Sequence, residues 1–324
     1  MSILDEIREP VSEEMKLFEQ HFRSSMKSNI PLLGFITNYI IRKKGKQIRP
    51  LFVFLSAKML GNTGDSTFRA ASMIELLHTA TLIHDDIVDE SYERRGFFSI
   101  NALWKSKIAV LVGDYLLSRG LLLAIDNKEY DLLGIITEAV REMSEGELLQ
   151  IQKSRKLNIT KDEYFNIIRK KTATLIAACT ASGARSVGAD QKTIEIFKKF
   201  GENVGMAFQI KDDLFDYNKK GIIGKPTGND IKEKKFTLPL IYALENGSSR
   251  DKIHIINSIK SHHINSKKIQ EVIDFAIENK GIEYSIGRMN EFKDEALSLI
   301  SNYPDNDAKK SLTKLVEYVI TRDK

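Results

Sequence analysis

The six prolines of this 324-residue chain lie at positions 10, 31, 50, 226, 239 and 304, so residues 51–225 contain none. Proline ends or kinks helices and punctuates turns. A proline-free stretch of that length, rich in Leu, Ile, Ala and Lys, selects long helices over a turn-dense β architecture. Helical periodicity supports this. In residues 68–83 the apolar positions Ala71, Ile74, Leu77, Leu82 and Ile83 mix spacings into a broad apolar surface. Comparable readings cover roughly 12–41, 50–60, 105–125, 130–152, 161–182, 191–217, 231–246, 267–301 and, after Pro304, 307–321. The clearest loops are GNTGDS at 61–66, the stretch 218–230 and ENGSSRD at 245–251. The expected fold is all-α, one domain over 1–324, with 247–324 as peripheral C-terminal helices.

Composition bounds the function. Hydrophobic residues make up 42% and charged residues 29%, as in a globular chain, and the net charge of +5 is too mild to demand nucleic acid. The run IRKKGKQIR lacks the interleaved aromatics of an RNA-binding surface. A single cysteine, Cys179, cannot form an intrachain disulfide. The opening MSILDEIREP is acidic and has no apolar core of a signal peptide. The most apolar window, 108–125, contains Asp114 and Arg119, so it reads as a buried helix and not a transmembrane segment. The expected location is cytoplasmic.

Two segments share one pattern. LIHDDIVDES carries Asp85, Asp86 and Asp89, and FQIKDDLFDY carries Asp212, Asp213 and Asp216. Each is D-D-x-x-D after an apolar turn. On a helix, positions i and i+4 are stacked, which puts Asp85 with Asp89, and Asp212 with Asp216, on one face. Like charges so placed repel, and a counter-cation relieves them. Oxygen ligands without histidine or thiolate clusters indicate Mg²⁺ or Mn²⁺. One such run is ordinarily solvated surface; two in equivalent settings are not readily coincidence. A di-iron carboxylate bundle would need Glu-x-x-His pairs on facing helices, and Glu75–His78 is the only one.

The chain also carries anion-binding groups: Lys46 and Arg49 in GKQIRP, Arg94 and Arg95 in DESYERRG, Lys171-Thr172 in IIRKKTATL, Lys225 in GIIGKPTG and Lys235 in KEKKFTLP. Arginine grips phosphate oxygens in pairs and lysine acts as a point charge. Singly, each is an ordinary surface cation. Acids for metal and bases for phosphate on one framework make the case.

With these motifs in hand, the chain resembles the trans-isoprenyl diphosphate synthases, the polyprenyl synthetase family. The resemblance runs from about 43 to 244 through GKQIRP, LLHTATLIHDDIVDESYERRG, VLVGDYLLSRG, EGELLQ, KKTATL, GMAFQIKDDLFDY and GKPTGNDIKEKKFTLP, and continues more weakly beyond. It implies a bundle of long antiparallel helices around a deep cavity, a homodimer, and head-to-tail condensation of isopentenyl diphosphate onto an allylic diphosphate (farnesyl or shorter). It implies three Mg²⁺ ions, two on Asp85 and Asp89 with Asp86 alongside, the third on Asp212 supported by Asp213 and Asp216. Lys46, Arg49, His78 and Arg95 would bind the diphosphate of isopentenyl diphosphate. Arg94, Lys171, Lys225 and Lys235 would bind the allylic diphosphate, with Thr172 and Gln209 near the cationic carbons. EGELLQ and VLVGDYLLSRG read chiefly as packing, with Gln150 and Asp114 as candidate neighbours of the site.

A class I terpene cyclase shares the first aspartate motif, but normally carries an N-S-E type second motif where this chain has DDLFD. A non-catalytic subunit of a heteromeric synthase would have lost aspartates or Arg94-Arg95, and this chain keeps them. For product length, short-chain relatives place bulky aromatics four or five positions before the first aspartate. Here those positions are Thr81 and Ala80, with Leu77 a turn further back. Asp85 to Met73 spans about 18 Å of helix, enough for a deep channel. The reading is a C30–C40 product, the class that supplies quinone side chains, released with peripheral membrane contact at most; the alternative is a C15–C20 product stopped at Leu76 or Leu77. Replacing Ala80 by Phe should shorten the product, measured by chromatography of the dephosphorylated prenols. An unchanged length would remove Ala80 from that role.

Overall fold

The computed structural model describes residues 2–42, 45–94, 96–154, 157–217, 228–260 and 265–321. In chain order its helices are α1 (Ile3–Arg8), α2 (Ser12–Ser25), α3 (Pro31–Arg42), α4 (Ile48–Leu60), α5 (Asp65–Val88), α6 (Ile100–Asp126), α7 (Tyr130–Ser154) and α8 (Lys161–Ile168). A π turn, Arg169–Ala173, joins α8 to α9 (Thr174–Ser186). There follow α10 (Gln191–Phe215), the single turn α11 (Asn229–Lys232), α12 (Leu238–Asn246), α13 (Ser249–Lys260), α14 (Ser266–Glu278), α15 (Gly281–Ser301) and α16 (Asp307–Thr321). Among the described residues the only strands are two-residue β1 (Glu93–Arg94) and β2 (Phe97–Phe98), an antiparallel hairpin turning at Gly96.

Local chemistry sets the boundaries. Ser2 and Asp5 cap α1 reciprocally, as Thr160 and Glu163 cap α8. Pro31 stands at the first position of α3, where its missing N–H costs nothing. It splits into two helices the stretch 12–41 that periodicity reads as one. The stretch 267–301 likewise divides at Lys280, whose φ of 61° is left-handed, and Gly281 then lies so close to the Pro239 carbonyl that a Cβ would collide with it. Helices α1 and α13 are not among the helices read from the sequence; α1 is short, and α13 lies in the polar region after 247.

The chain divides into two compact units. The first comprises Met1–Val140, Ala178–Lys198 and Pro304–Lys314. Its centre is α4, in which Leu51, Phe52, Val53, Phe54 and Leu55 are all buried, so the helix is apolar all round. Phe54 packs edge-on against Phe18 of α2 and Phe68 of α5. Gly183 of α9 meets α4 closely enough that a Cβ would lie 2.5 Å from the Val53 carbonyl oxygen. Helix α5 runs along α6, α4 and α2. This accounts for the broad apolar surface of residues 68–83.

Helix α6 departs from expectation. It is interrupted at Lys105 (φ 68°), and only one side is buried, by Ala109, Val112, Gly113, Leu116, Gly120 and Ala124. Val110, Leu111, Leu122 and Ile125 are exposed on the other side. The apolar window is therefore half exposed, where the sequence suggested a buried helix. Its charges are accommodated: Arg119 Nε donates to the Ser25 carbonyl at 2.7 Å, and Asp114 faces solvent.

The second unit comprises Arg141–Ala177, Lys199–Tyr303 and Leu315–Lys324. Helix α12 packs on α14, α15 and α8, with Leu238, Leu240, Val272 and Ala276 buried. Tyr164, Ile167 and Ile168 of α8, and Val204, Ala207 and Ile210 of α10, are buried as well. Across such positions each large apolar side chain contributes about 1.5–3 kcal/mol.

Cys179 is fully buried in the first unit, and burial pushes its thiol up to about 12. The thiolate is the reactive species. The folded protein at pH 8 should therefore give no reaction with Ellman's reagent, and one thiol should titrate after unfolding in guanidinium. A fast-reacting thiol in the folded protein would contradict this packing.

Candidate active site

In the first unit the acidic run closes α5. Asp85 is half-buried, Asp86 buried and Asp89 exposed at the helix C-cap. The Asp89 N–H donates to the Asp85 carbonyl at 2.8 Å, the last helical bond, which stacks the two residues as their spacing predicts. The exposed carbonyls at a helix C-terminus are already partly negative. Carboxylates added there carry an extra cost that a cation relieves. Upstream on α5, His78, Leu77 and Ala80 are buried and Thr81 is half-buried, its hydroxyl donating to the His78 carbonyl at 2.8 Å. Helix α6 reaches this end of α5 through Gly113, where a Cβ would strike the His84 ring. His84 Nε2 lies 3.4 Å from the Asp114 carboxylate. The VLVGDYLLSRG segment is thus a packing element, and Asp114 meets the residue before Asp85. Arg49 lies in the first turn of α4, and Lys46 lies in the loop before it. Arg8 of α1 donates to the Lys46 carbonyl at 2.5 Å and so anchors that loop.

In the second unit, α10 ends at Phe215 and its last turn tightens, the Asp216 N–H reaching the Asp213 carbonyl at 3.3 Å. Asp216 therefore stands beyond the helix, and its carboxylate accepts the Asp230 N–H at 2.6 Å. Asp213 is buried. Tyr164 donates to its Oδ2 at 2.6 Å, and Gln209 Nε2 donates to its Oδ1 at 2.8 Å. Thr172 in turn donates to Gln209 Oε1 at 2.7 Å, so the two residues assigned to the cationic carbons do meet.

Burial pushes the Asp213 carboxyl up to about 8, with the Asp230 and Asp212 charges adding to it and the bonds from Tyr164 and Gln209 opposing it. Asp230 rises to about 6 through burial and the Asp216 charge, against the pull of Lys235 and Lys171. Asp216 is raised chiefly by burial. Acids raised by burial and by a neighbouring charge in a partly dry site are under-neutralised, the condition a divalent cation corrects. The donors are hard oxygens, which suits Mg²⁺. Among the described residues no three His, Cys, Asp or Glu side chains converge on one point. Magnesium takes one or two protein carboxylates and completes its shell with water and phosphate oxygens.

The cations of this unit are held in place by acids. Lys171 pairs with Glu147 and lies 3.4 Å from Gln150 Oε1; Lys170 pairs with Glu145, and Arg169 with Glu142 at 3.0 Å. Lys235 Nζ lies 2.5 Å from Glu233, and its N–H donates to the Asp230 carbonyl. The EGELLQ segment thus does more than pack. Its acids Glu145 and Glu147 answer Lys170 and Lys171, a complementarity visible in the sequence as two short blocks of opposite charge. Arg95 and Lys225 lie outside the described residues, and Arg94 is placed only by its backbone, in β1. Sequence reasoning did not find Tyr164, which no charge pattern or spacing marks.

The polyprenyl synthetase family profile matches residues 30–276, three quarters of the chain, and draws on both units. The chain belongs to the polyprenyl synthetase family. It is a prenyltransferase of the all-α isoprenoid synthase fold. An octaprenyl diphosphate synthase of Haemophilus influenzae is 31% identical over 321 residues, covering 99% of this chain and 97% of that one. Among solved structures, a decaprenyl diphosphate synthase from Rhodobacter capsulatus superposes with a TM-score of 0.90 at 32% identity, covering 98% of each chain. A polyprenyl synthase from Caulobacter crescentus, complexed with calcium and isoprenyl diphosphate, superposes at 0.87 with 30% identity, again over 98% of each.

Two glycines bring the π turn of this polyprenyl synthetase into place. A Cβ on Gly146 of α7 would lie 2.8 Å from the Lys171 N, and one on Gly205 of α10 would collide with the Ala173 Cα. Backbone cannot swing aside as a side chain can. Gly205→Ala should therefore lower stability by about 1–3 kcal/mol, exceeding the gain of about 1 kcal/mol in helix propensity. It should also depress turnover by displacing Thr172. Calorimetry and steady-state assay check this; a variant at least as stable as the parent would contradict the close approach.

Proposed function

We propose that this prenyltransferase condenses isopentenyl diphosphate head-to-tail onto an allylic diphosphate, farnesyl or shorter, to make an all-trans polyprenyl diphosphate of C30–C40, the class that supplies quinone side chains. The observation that carries the reaction is the pair of D-D-x-x-D runs, each ending a helix of the all-α fold. Long product is supported by the octaprenyl and decaprenyl synthases to which the chain is similar, and by small side chains at Ala80 and Thr81. Closure of the channel at Leu76 or Leu77, both buried on α5, gives the second reading, a C15–C20 product.

Asp85 and Asp89, with Asp86 alongside, would hold two Mg²⁺ ions, and Asp212, with Asp213 and Asp216, a third; Mn²⁺ has the same ligand preferences. The calcium found in the Caulobacter relative supports a divalent site. When bound, the ions supply positive charge opposite the diphosphate leaving group. Lys171, Lys225, Lys235 and Arg94 hold the allylic diphosphate, and Lys46, Arg49, His78 and Arg95 hold that of isopentenyl diphosphate. Preorganised cations of this kind stabilise charge as it develops on the leaving oxygens. Thr172 and Gln209 would stand beside the allylic carbons, where exclusion of water keeps the cation from being quenched. No described side chain is an evident base for the final proton, which the released diphosphate can accept.

The exposed apolar face of α6 supports a homodimer in which a second copy covers Val110, Leu111, Leu122 and Ile125. Both units serve one synthase domain in this reading, since the family match runs through both. The lone buried thiol suits a cytoplasmic location.

Incubation with radiolabelled isopentenyl diphosphate, farnesyl diphosphate and Mg²⁺, followed by chromatography of the dephosphorylated products, should give C30–C40 prenols. Products no longer than C20 would favour the second reading. Asp85→Ala should lower turnover about 100-fold or more with an unchanged helical CD spectrum. A fully active variant would remove Asp85 from the metal site.

A further inference from the structure

Tyr164 has no role in the scheme above, yet it begins a directed hydrogen-bond chain. Its side chain is buried, packed edge-on against Phe165, and its hydroxyl reaches Asp213 Oδ2 at 2.6 Å. Asp213 accepts on its other oxygen as well, Gln209 turning its NH₂ toward Oδ1, at 2.8 Å. The amide carbonyl is then left facing Thr172, whose hydroxyl must donate, at 2.7 Å. Each bond forces the polarity of the next. With its proton committed to Gln209, the Thr172 oxygen offers only electron pairs to a neighbour. The backbone under Thr172 is set independently, by Gly146 and Gly205 against the π turn, a deviation from α-helix that is frequent at functional sites.

We propose that Tyr164 is a positioning residue that acts through Asp213 and Gln209 to hold the Thr172 oxygen as an electron-pair donor beside the allylic carbons. The proposal rests on the function given above, and the structure assigns Tyr164 no contact with substrate. Without the phenol, Asp213 loses the donor on Oδ2. The Asp213 carboxyl is then free to turn, and the Gln209 amide and the Thr172 hydroxyl lose their fixed orientation. The Thr172 oxygen is no longer held with its electron pairs toward the developing cation.

Tyr164→Phe removes only the hydroxyl. It should lower kcat about tenfold, the scale of one lost hydrogen bond to a charged partner, while leaving KM for isopentenyl diphosphate and the melting temperature nearly unchanged. In a double-mutant cycle, Tyr164→Phe should cost little further in a Thr172→Val background, because both act on one chain. The chain is also readable without turnover: the ¹⁵N–¹H side-chain amide signal of Gln209, assigned by its loss in Gln209→Glu, should shift in the substrate-free Tyr164→Phe protein. A wild-type kcat, additive effects, or a joint loss of kcat, KM and melting temperature would overturn the proposal. Should the wild-type enzyme form no polyprenyl product, the function assigned above fails, and the Gln209 signal alone then decides the relay: moved supports it, unmoved overturns it.

Discussion

Carboxylates gathered at the C-terminal ends of helices are the constraint to which the rest of the site answers. Asp85 and Asp89 close α5; Asp212 and Asp213 close α10, and Asp216 follows just beyond it. In both places acidic side chains add to the partial negative charge of unsatisfied carbonyls. Nothing in helix stability favours this arrangement. Around α10 the cost is visible in Asp213, Asp216 and Asp230, all pushed upward by burial, Asp213 also by the charge of Asp230 and Asp230 by that of Asp216. Such sites persist when their function supplies the missing positive charge, which under the proposed function would be a divalent cation carrying a diphosphate.

Holding charged groups in so unfavourable a setting requires a backbone that cannot relax. Glycines provide the close approaches: Gly113 under His84, Gly183 against α4, and Gly146 and Gly205 on the two sides of the π turn. Each permits a helix to approach nearer than any side chain would allow. The cations are restrained in a complementary way, Lys171 by Glu147 and Lys235 by Glu233. An ion pair at a partly exposed lysine adds little to stability. Under the proposed function its value would be orientation, since a lysine held in place meets phosphate at a smaller entropic cost.

Helix α6 illustrates a different economy. Its composition satisfies the length and apolarity of a membrane span. Small residues, Ala109, Gly113, Gly120 and Ala124, line the packed side, and larger ones, Val110, Leu111, Leu122 and Ile125, remain exposed. Arg119, which would be costly in hydrocarbon, has a backbone carbonyl as partner. Hydropathy sums over the circumference of a helix and so cannot distinguish a buried helix from one apolar on both an inner and an outer face.

The sequence by itself determined the helical class, because a long proline-free run with helical periodicity has few other outcomes. It also determined the acidic runs, the basic motifs and the small residues at 80 and 81, because those are properties of residue type and spacing. The breaks at Pro31 and Lys280 divided helices that periodicity joined, since the gap between helices can be as short as two residues and keeps the apolar rhythm. Only the tertiary structure decided that Asp213 is gripped by Tyr164, 49 residues earlier, that Asp216 takes its hydrogen bond from the Asp230 backbone, and that α6 is buried on one side alone. Those facts depend on which surfaces meet. A phenol reads in sequence as an ordinary core aromatic until the fold places a carboxylate 2.6 Å from its oxygen.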